Sequence, residues 1–234
     1  MIATSRFVFV HLHKTGGQFV NRVLLQHLPD ARAIGYHLPR SEAPPELHKL
    51  PAIGFVRNPW DWYVSWYAFN AAEPQRNPIF RGVSADGRLD FKHSLINMLH
   101  LGAERSRPLR VRISADLPET RAGNLGSGIT RAVMLGFEDE SRGYFTWLWR
   151  YMLFLHERTD GLHAGRMENL RADLLQALKA VGQPVTPELH EAILRNPPVN
   201  ASVRRDYRAY YDGELRALVA ARDRELIAAH GYRF

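Results

Sequence analysis

The first 70 residues predict an α/β protein with a central parallel sheet and helices on both faces. Three observations carry this. Phe7–Leu12 is a β-branched and aromatic run that stops at Lys14-Thr15-Gly16-Gly17. Val20, Val23, Leu24 and Leu28 then recur at helical spacing until Pro29-Asp30. Ala52–Val56 is another apolar run, followed by Arg57-Asn58-Pro59 and an aromatic helical stretch to about Asn70. Short, continuously apolar strands separated by helical patterns are what crossover connections in a parallel sheet require.

The remaining elements follow in order. Ala33–His37 reads as a short second strand, and Ser41–Leu50, with Pro44-Pro45, as loop or short helix. Residues 71–140 change character, with scattered Gly, Pro and Arg and one clear apolar helix around Phe91–Leu101. Glu104–Thr130 shows little periodicity and reads as long loops, which in compact domains are usually functional or mobile. Order returns with a helix at Tyr144–His156, a strand at Leu162–Met167 and an amphipathic helix at Leu170–Val181. A breaker at Asn196–Asn200 precedes a final helix from about Tyr207 to Ala229. The 234 residues read as one domain in which 71–140 is an insertion.

Composition narrows the chemistry. With 31 basic against 24 acidic residues the chain carries +7, which favours anionic partners. Lysine occurs only at positions 14, 49, 92 and 179, so 27 of the 31 basic residues are arginine. Such a bias more often reflects codon composition than function, which discounts the bulk charge. Without cysteine there is no disulfide scaffold, thiolate metal site or cysteine nucleophile. No apolar run is long enough to span a membrane, and Phe7–Leu12 is too short for a signal peptide, so a soluble, cytoplasmic protein is expected.

Two turns have the chemistry of anion sites. In His13-Lys14-Thr15-Gly16-Gly17-Gln18 the glycines let the backbone approach a ligand, and helix N-terminal N–H groups point at it. Lys14 adds a charge that can follow a developing negative oxygen. The lysine precedes the glycines, and no Ser/Thr follows to hold Mg²⁺, so the nucleoside-triphosphatase loop pattern fails. The second turn is Arg57-Asn58-Pro59, with Ser65 one to two helical turns in. Arg57 would sit at the carboxyl edge of the sheet, where open α/β sheets bind ligands, and could share a phosphate with Ser65. The plain alternatives are a solvent lysine on a βα turn and a strand-end arginine in an ion pair.

The two turns together resemble those of sulfotransferases that use 3′-phosphoadenosine 5′-phosphosulfate (PAPS). Phe9–Gly17 looks like the 5′-phosphosulfate loop, and Phe55–Pro59 through Ser65 like the 3′-phosphate segment. Gly165–Leu170, Asn200-Ala201-Ser202, Asp206-Tyr207-Arg208 and Gly231–Phe234 resemble bacterial members, closest to the carbohydrate branch with the heparan sulfate 2-O-sulfotransferases. The resemblance covers about 1–70 and 140–234 and implies a three-layer, P-loop-like fold. It implies that Lys14 contacts the bridging oxygen, that Thr15, Gly16, Gly17 and Gln18 cradle the 5′-phosphate, and that Arg57 and Ser65 hold the 3′-phosphate. Ser202 would lie over the nucleotide. The resemblance implies PAPS as the donor, no metal, and a hydroxyl of a carbohydrate or glycan-like molecule as the acceptor.

Transfer to an alcohol needs a proton acceptor. The resemblance points to His37, at the end of the presumed second strand. The rate is then expected to rise with pH through an ionisation near the histidine reference value of about 6.5, allowing for a local shift. His11 and His13 flank the loop and compete for the role. Arg166 and Glu168 end another strand, where an ion pair is the plain reading. Trp60, Trp62, Tyr63, Trp66, Tyr67 and Phe69 read mainly as core. Arg105, Arg107, Arg110 and Arg112 read equally as a solvated loop or as an acceptor-binding element. Rival functions are a kinase with a degenerate phosphate loop, a nucleic-acid-binding module, which scattered arginines disfavour, and an inactive family member used for binding.

Overall fold

A computed structural model describes residues 1–73, 77–121, 128–197 and 205–234. Among them are strands β1 (Ile2–Ala3), β2 (Val8–Phe9), β3 (Arg32–Ala33), β4 (Ala52–Val56) and β5 (Leu162–Arg166). The helices are α1 (Gly17–His27), α2 (Pro59–Ala72), α3 (Pro78–Val83), α4 (Phe91–Leu99), α5 (Arg107–Ala115) and α6 (Arg131–Leu135). They continue with α7 (Tyr144–Leu153), α8 (Leu170–Ala180), α9 (Pro187–Arg195), α10 (Gly213–Arg222) and α11 (Arg224–His230). The chain forms two compact units, Met1–Arg57 with Trp149–Ala201, and Asn58–Leu148 with Ser202–Phe234. No helix among the described residues is long and apolar enough to cross a membrane.

The first unit is α/β, built on a mixed five-stranded sheet of order β3-β1-β2-β4-β5. β2, β4 and β5 are parallel, with Phe9 opposite Ile53 and Val56 opposite Arg166. Alternation along the strands sends Phe7, Phe9, Ile53 and Phe55 to one face. There they join Phe19, Val20, Val23 and Leu24 of α1, Leu174 and Leu178 of α8, and Leu189 and Ile193 of α9 in one buried cluster. On the other face Gly54 makes room for Leu153, whose Cδ2 would stand 2.8 Å from any Cβ there. The sheet's carboxyl edge therefore carries both the Lys14 turn and Arg57.

Two expectations about the sheet are corrected. It is mixed, because β1 runs antiparallel to both β2 and β3. A tight turn reverses the chain between β1 and β2. Thr4 N–H and its hydroxyl both donate to the Phe7 carbonyl, while Thr4 Oγ1 accepts from Phe7 N–H at 3.0 Å. A turn this short joins only antiparallel strands. The expected strand at Ala33–His37 shrinks to Arg32–Ala33, an exposed edge pair. His37 lies four residues past it, with a left-handed φ of 48°.

The second unit is helical. Asn58 caps α2, its Oδ1 accepting from Trp60 N–H at 3.1 Å, with Pro59 at the first position as the sequence anticipates. Trp60, Trp62, Tyr63 and Trp66 are buried, and Trp62 stacks on Phe145 at 4.2 Å between centroids. Phe69, by contrast, is exposed. The region expected to be loop contains α5. Its arginines conceal the pattern, because Arg110 is 1% exposed and donates from Nη1 to the carbonyls of Leu101 and Ala103 at 2.8 and 2.7 Å. Arg110 is thus structural, contrary to both readings offered for it.

The expected single final helix is broken at Asp223, which closes α10 and opens α11. The break turns a fully buried carboxylate inward. Its Oδ1 accepts from Thr146 N–H and Oγ1 at 2.8 and 2.6 Å, and its Oδ2 from the Tyr63 hydroxyl at 2.8 Å. Tyr63 Oη in turn accepts from Phe145 N–H at 3.0 Å, so one cluster satisfies the start of α7. Burial pushes Asp223 up to about 6, while its hydrogen bonds act in the opposite direction.

Asp223→Ala leaves three buried donors without partners, and a loss of about 3–5 kcal/mol is expected in denaturant titration. The pH dependence has a definite sign. The folded-state value lies above the ordinary 3.8, so this group's stabilisation is complete below pH 3.8 and is lost as pH rises through about 6. Asp223→Asn should flatten that part of the stability profile, which amounts to about 3 kcal/mol. An unchanged slope between pH 4 and 6 would show that Asp223 does not titrate this way.

Candidate functional site

The site is built where β2 hands over to α1. After Val10, whose N–H bonds the Ile53 carbonyl at 2.9 Å, the chain leaves the sheet and turns through Lys14, which has a left-handed φ of 59°. The Thr15 hydroxyl, buried, donates to the Leu12 carbonyl at 2.9 Å and ties the turn down. That donor is committed, so Thr15 offers an anion only its main chain. Arg57, buried at the end of β4, donates from Nη1 to the Lys14 carbonyl at 3.2 Å. It braces the turn from the neighbouring strand.

Glycine is needed at both following positions. Gly16 has φ +82°, and a Cβ there would stand 2.8 Å from Leu170 Cδ2. At Gly17 a Cβ would overlap the imidazole of His11. Gly16 also begins α1 without any side-chain cap, and no acidic residue occupies the first helical turn. Gln18 is exposed beside it. The helix start therefore presents N–H groups and the positive end of its dipole, with no acidic residue in its own first turn.

Three histidines stand next to this turn. His37 is buried, and its Nδ1–H donates to the His11 carbonyl at 2.8 Å, which leaves Nε2 as the lone-pair nitrogen. Its ring lies flat on His13 at 3.6 Å, with 10° between the planes, and touches the rings of His11 and Tyr36 at 4.4 and 4.3 Å. Burial, reinforced by His13 and His11, lowers His37 well below the ordinary histidine value. Burial and His13 likewise push His11 down to about 3. Both are neutral imidazoles near pH 7. The local shift at His37 is therefore downward from the histidine reference value.

The structure thus gathers His11, His13, Lys14, Thr15, Gly16, Gly17, Gln18, His37 and Arg57 in the first unit. Ser65 is buried in α2 of the second unit, and Ser202 lies outside the described residues. Arg166 ends β5, where its N–H donates to Asp173 Oδ2 at 2.6 Å, and Glu168 follows in a short 3₁₀ turn. Sequence reasoning missed Asn21, whose Nδ2 meets His11 Nδ1 at 3.3 Å. An amide one turn into an otherwise apolar helix face was the available signal. It also missed the ring of Tyr36, half exposed beside His37.

No protein-family model matches the chain, and no curated protein matches it. The geometry sets a glycine turn at a helix start, with Lys14 and Arg57 beside it, next to a buried neutral imidazole.

Gly17→Ala should displace the His11 ring and cost about 1–3 kcal/mol in thermal or denaturant unfolding. Pairing it with His11→Ala should give a loss smaller than the sum of the two single variants, because both act on one contact. Simple additivity would show that the contact does not constrain the turn.

Proposed function

We propose that this chain is a metal-independent sulfotransferase of P-loop-like fold that moves the sulfuryl group of PAPS to a hydroxyl, with a carbohydrate as the acceptor class. The observation that carries the proposal is the pairing of an uncapped, acid-free helix start behind Lys14 with the neutral, tautomer-fixed imidazole of His37. The resemblance of both turns to PAPS-binding segments supports the choice of donor. A glycine cradle that no Cβ could share, braced by a buried arginine, fits a phosphate group.

In this reading the acceptor oxygen attacks sulfur, the bond between sulfur and the bridging phosphate oxygen breaks, and the acceptor proton passes to His37 Nε2. Negative charge collects on the leaving phosphate. Lys14 Nζ and the N–H groups at the start of α1 stabilise it, an arrangement most useful in the transition state. Thr15, Gly16, Gly17 and Gln18 hold the 5′-phosphate through their main chain, and Arg57 holds the 3′-phosphate. His37 needs no prior deprotonation at neutral pH, while burial makes its Nε2 a weaker proton acceptor than an ordinary imidazole.

Donor binding tests the nucleotide assignment. The nucleotide product 3′-phosphoadenosine 5′-phosphate (PAP), at about 100 times its dissociation constant, should stabilise the fold by about 2.7 kcal/mol, or about 5–10 °C in melting temperature. AMP should do much less, and Arg57→Ala should abolish the difference. Equal shifts with PAP and AMP would overturn the assignment.

Chemistry is tested separately, with labelled PAPS and a panel of sugar alcohols and pyranosides in excess EDTA. Lys14→Ala should lower turnover more than PAP affinity. His37→Ala should leave PAP affinity near wild type and reduce turnover by about 10²–10⁴. The acid limb of the wild-type rate should fall below pH 6.5, because the base is held neutral by burial. Activity that vanishes in EDTA and returns with Mg²⁺ would favour a kinase instead.

A further inference from the structure

His37 is held by one hydrogen bond, from Nδ1–H to the His11 carbonyl. A single bond leaves an imidazole free to roll about the line joining donor and acceptor, and rolling swings Nε2 out of any fixed direction. The rings around it differ in what they can prevent. His11 meets it tilted by 44° and Tyr36 nearly edge-on at 71°. Only His13, of these three, lies parallel, at 3.6 Å and 10°. A flat neighbour at contact distance blocks the roll on that side. His37 also holds a left-handed backbone, so the direction of its side chain is imposed by surroundings and not by a relaxed main chain.

His13 stands immediately before Lys14, in the turn that Thr15 and Arg57 tie down. The stack therefore connects the base to the anion cradle through one residue. We propose that His13 is a positioning residue. Its ring sets the plane of His37, keeps Nδ1–H on the His11 carbonyl, and aims Nε2 relative to the Lys14 turn. The inference rests on His37 being the base of the proposed transfer, and it concerns contact area and not charge. A phenyl ring at position 13 would serve, and a methyl group would not.

The test uses the full-length protein with ¹⁵N-labelled histidine. In the wild type, NMR should find His37 as one tautomer, protonated on Nδ1. In His13→Ala the ring exchanges between tautomers, and in His13→Phe the single tautomer returns. PAP affinity, measured by calorimetry, stays within about twofold in both variants, which also shows that they fold. With labelled PAPS and a simple pyranoside, His13→Ala should lower kcat about tenfold without moving KM for PAPS, and His13→Phe should recover most of it. A wild-type tautomer pattern in His13→Ala, or a Phe variant that fails to restore it, overturns the proposal. Loss of turnover in His13→Phe together with normal turnover in His37→Ala also overturns it, by making His13 the base. If the wild type neither binds PAP nor transfers sulfuryl groups, the donor reading fails, and the tautomer pattern alone still decides whether His13 positions His37.

Discussion

The contact between the His11 ring and the main chain of Gly17 is the constraint on which the candidate site depends. It lets α1 start close against the strand that precedes it, and this closeness puts the helix's first N–H groups beside Lys14. The same histidine offers its carbonyl to His37 and its Nδ1 to Asn21. One residue thus fixes the helix start, the His37 ring and the tautomer of that ring. Burial keeps the imidazoles of His11 and His37 uncharged, so this crowding does not add positive charge to that of Lys14 and Arg57.

The first unit was legible in the sequence where its signals were local. The run Phe7–Leu12, the glycines after Lys14 and the run Ala52–Val56 each announce themselves within a few residues. β1 did not, because two residues carry no period, and its pairing is set by the Thr4 turn. His37 was found beside the loop, yet for a partly wrong reason. No strand delivers it there; a left-handed bend and a backbone hydrogen bond do. The lowered proton affinity of His37 could not be read from its neighbours in sequence, since burial in the fold is its principal cause.

In the second unit, helix propensity and pattern fail together at α5. Four arginines between residues 105 and 112 read as surface, and Arg110 is instead an internal tie between three segments. A guanidinium can be buried when carbonyls meet its donors, so charge in a sequence does not by itself mark solvent. The aromatic density of α2 tells the opposite story. Those rings read as core because several lie one helical turn apart, and most of them are.

Asp223 carries a consequence for the order in which the chain can be built. The first amides of α7 find their acceptors on Asp223 and on Tyr63, 77 residues later and 82 residues earlier. During synthesis from the N-terminus, α7 emerges long before Asp223 exists. Until then its first turn has no carboxylate to receive Thr146 and must bond water. Both compact units are also assembled from two separated stretches of chain. Neither can close before its second stretch has been made. The nascent chain waits, with Trp62, Tyr63 and Phe145 already made, for α10 and α11.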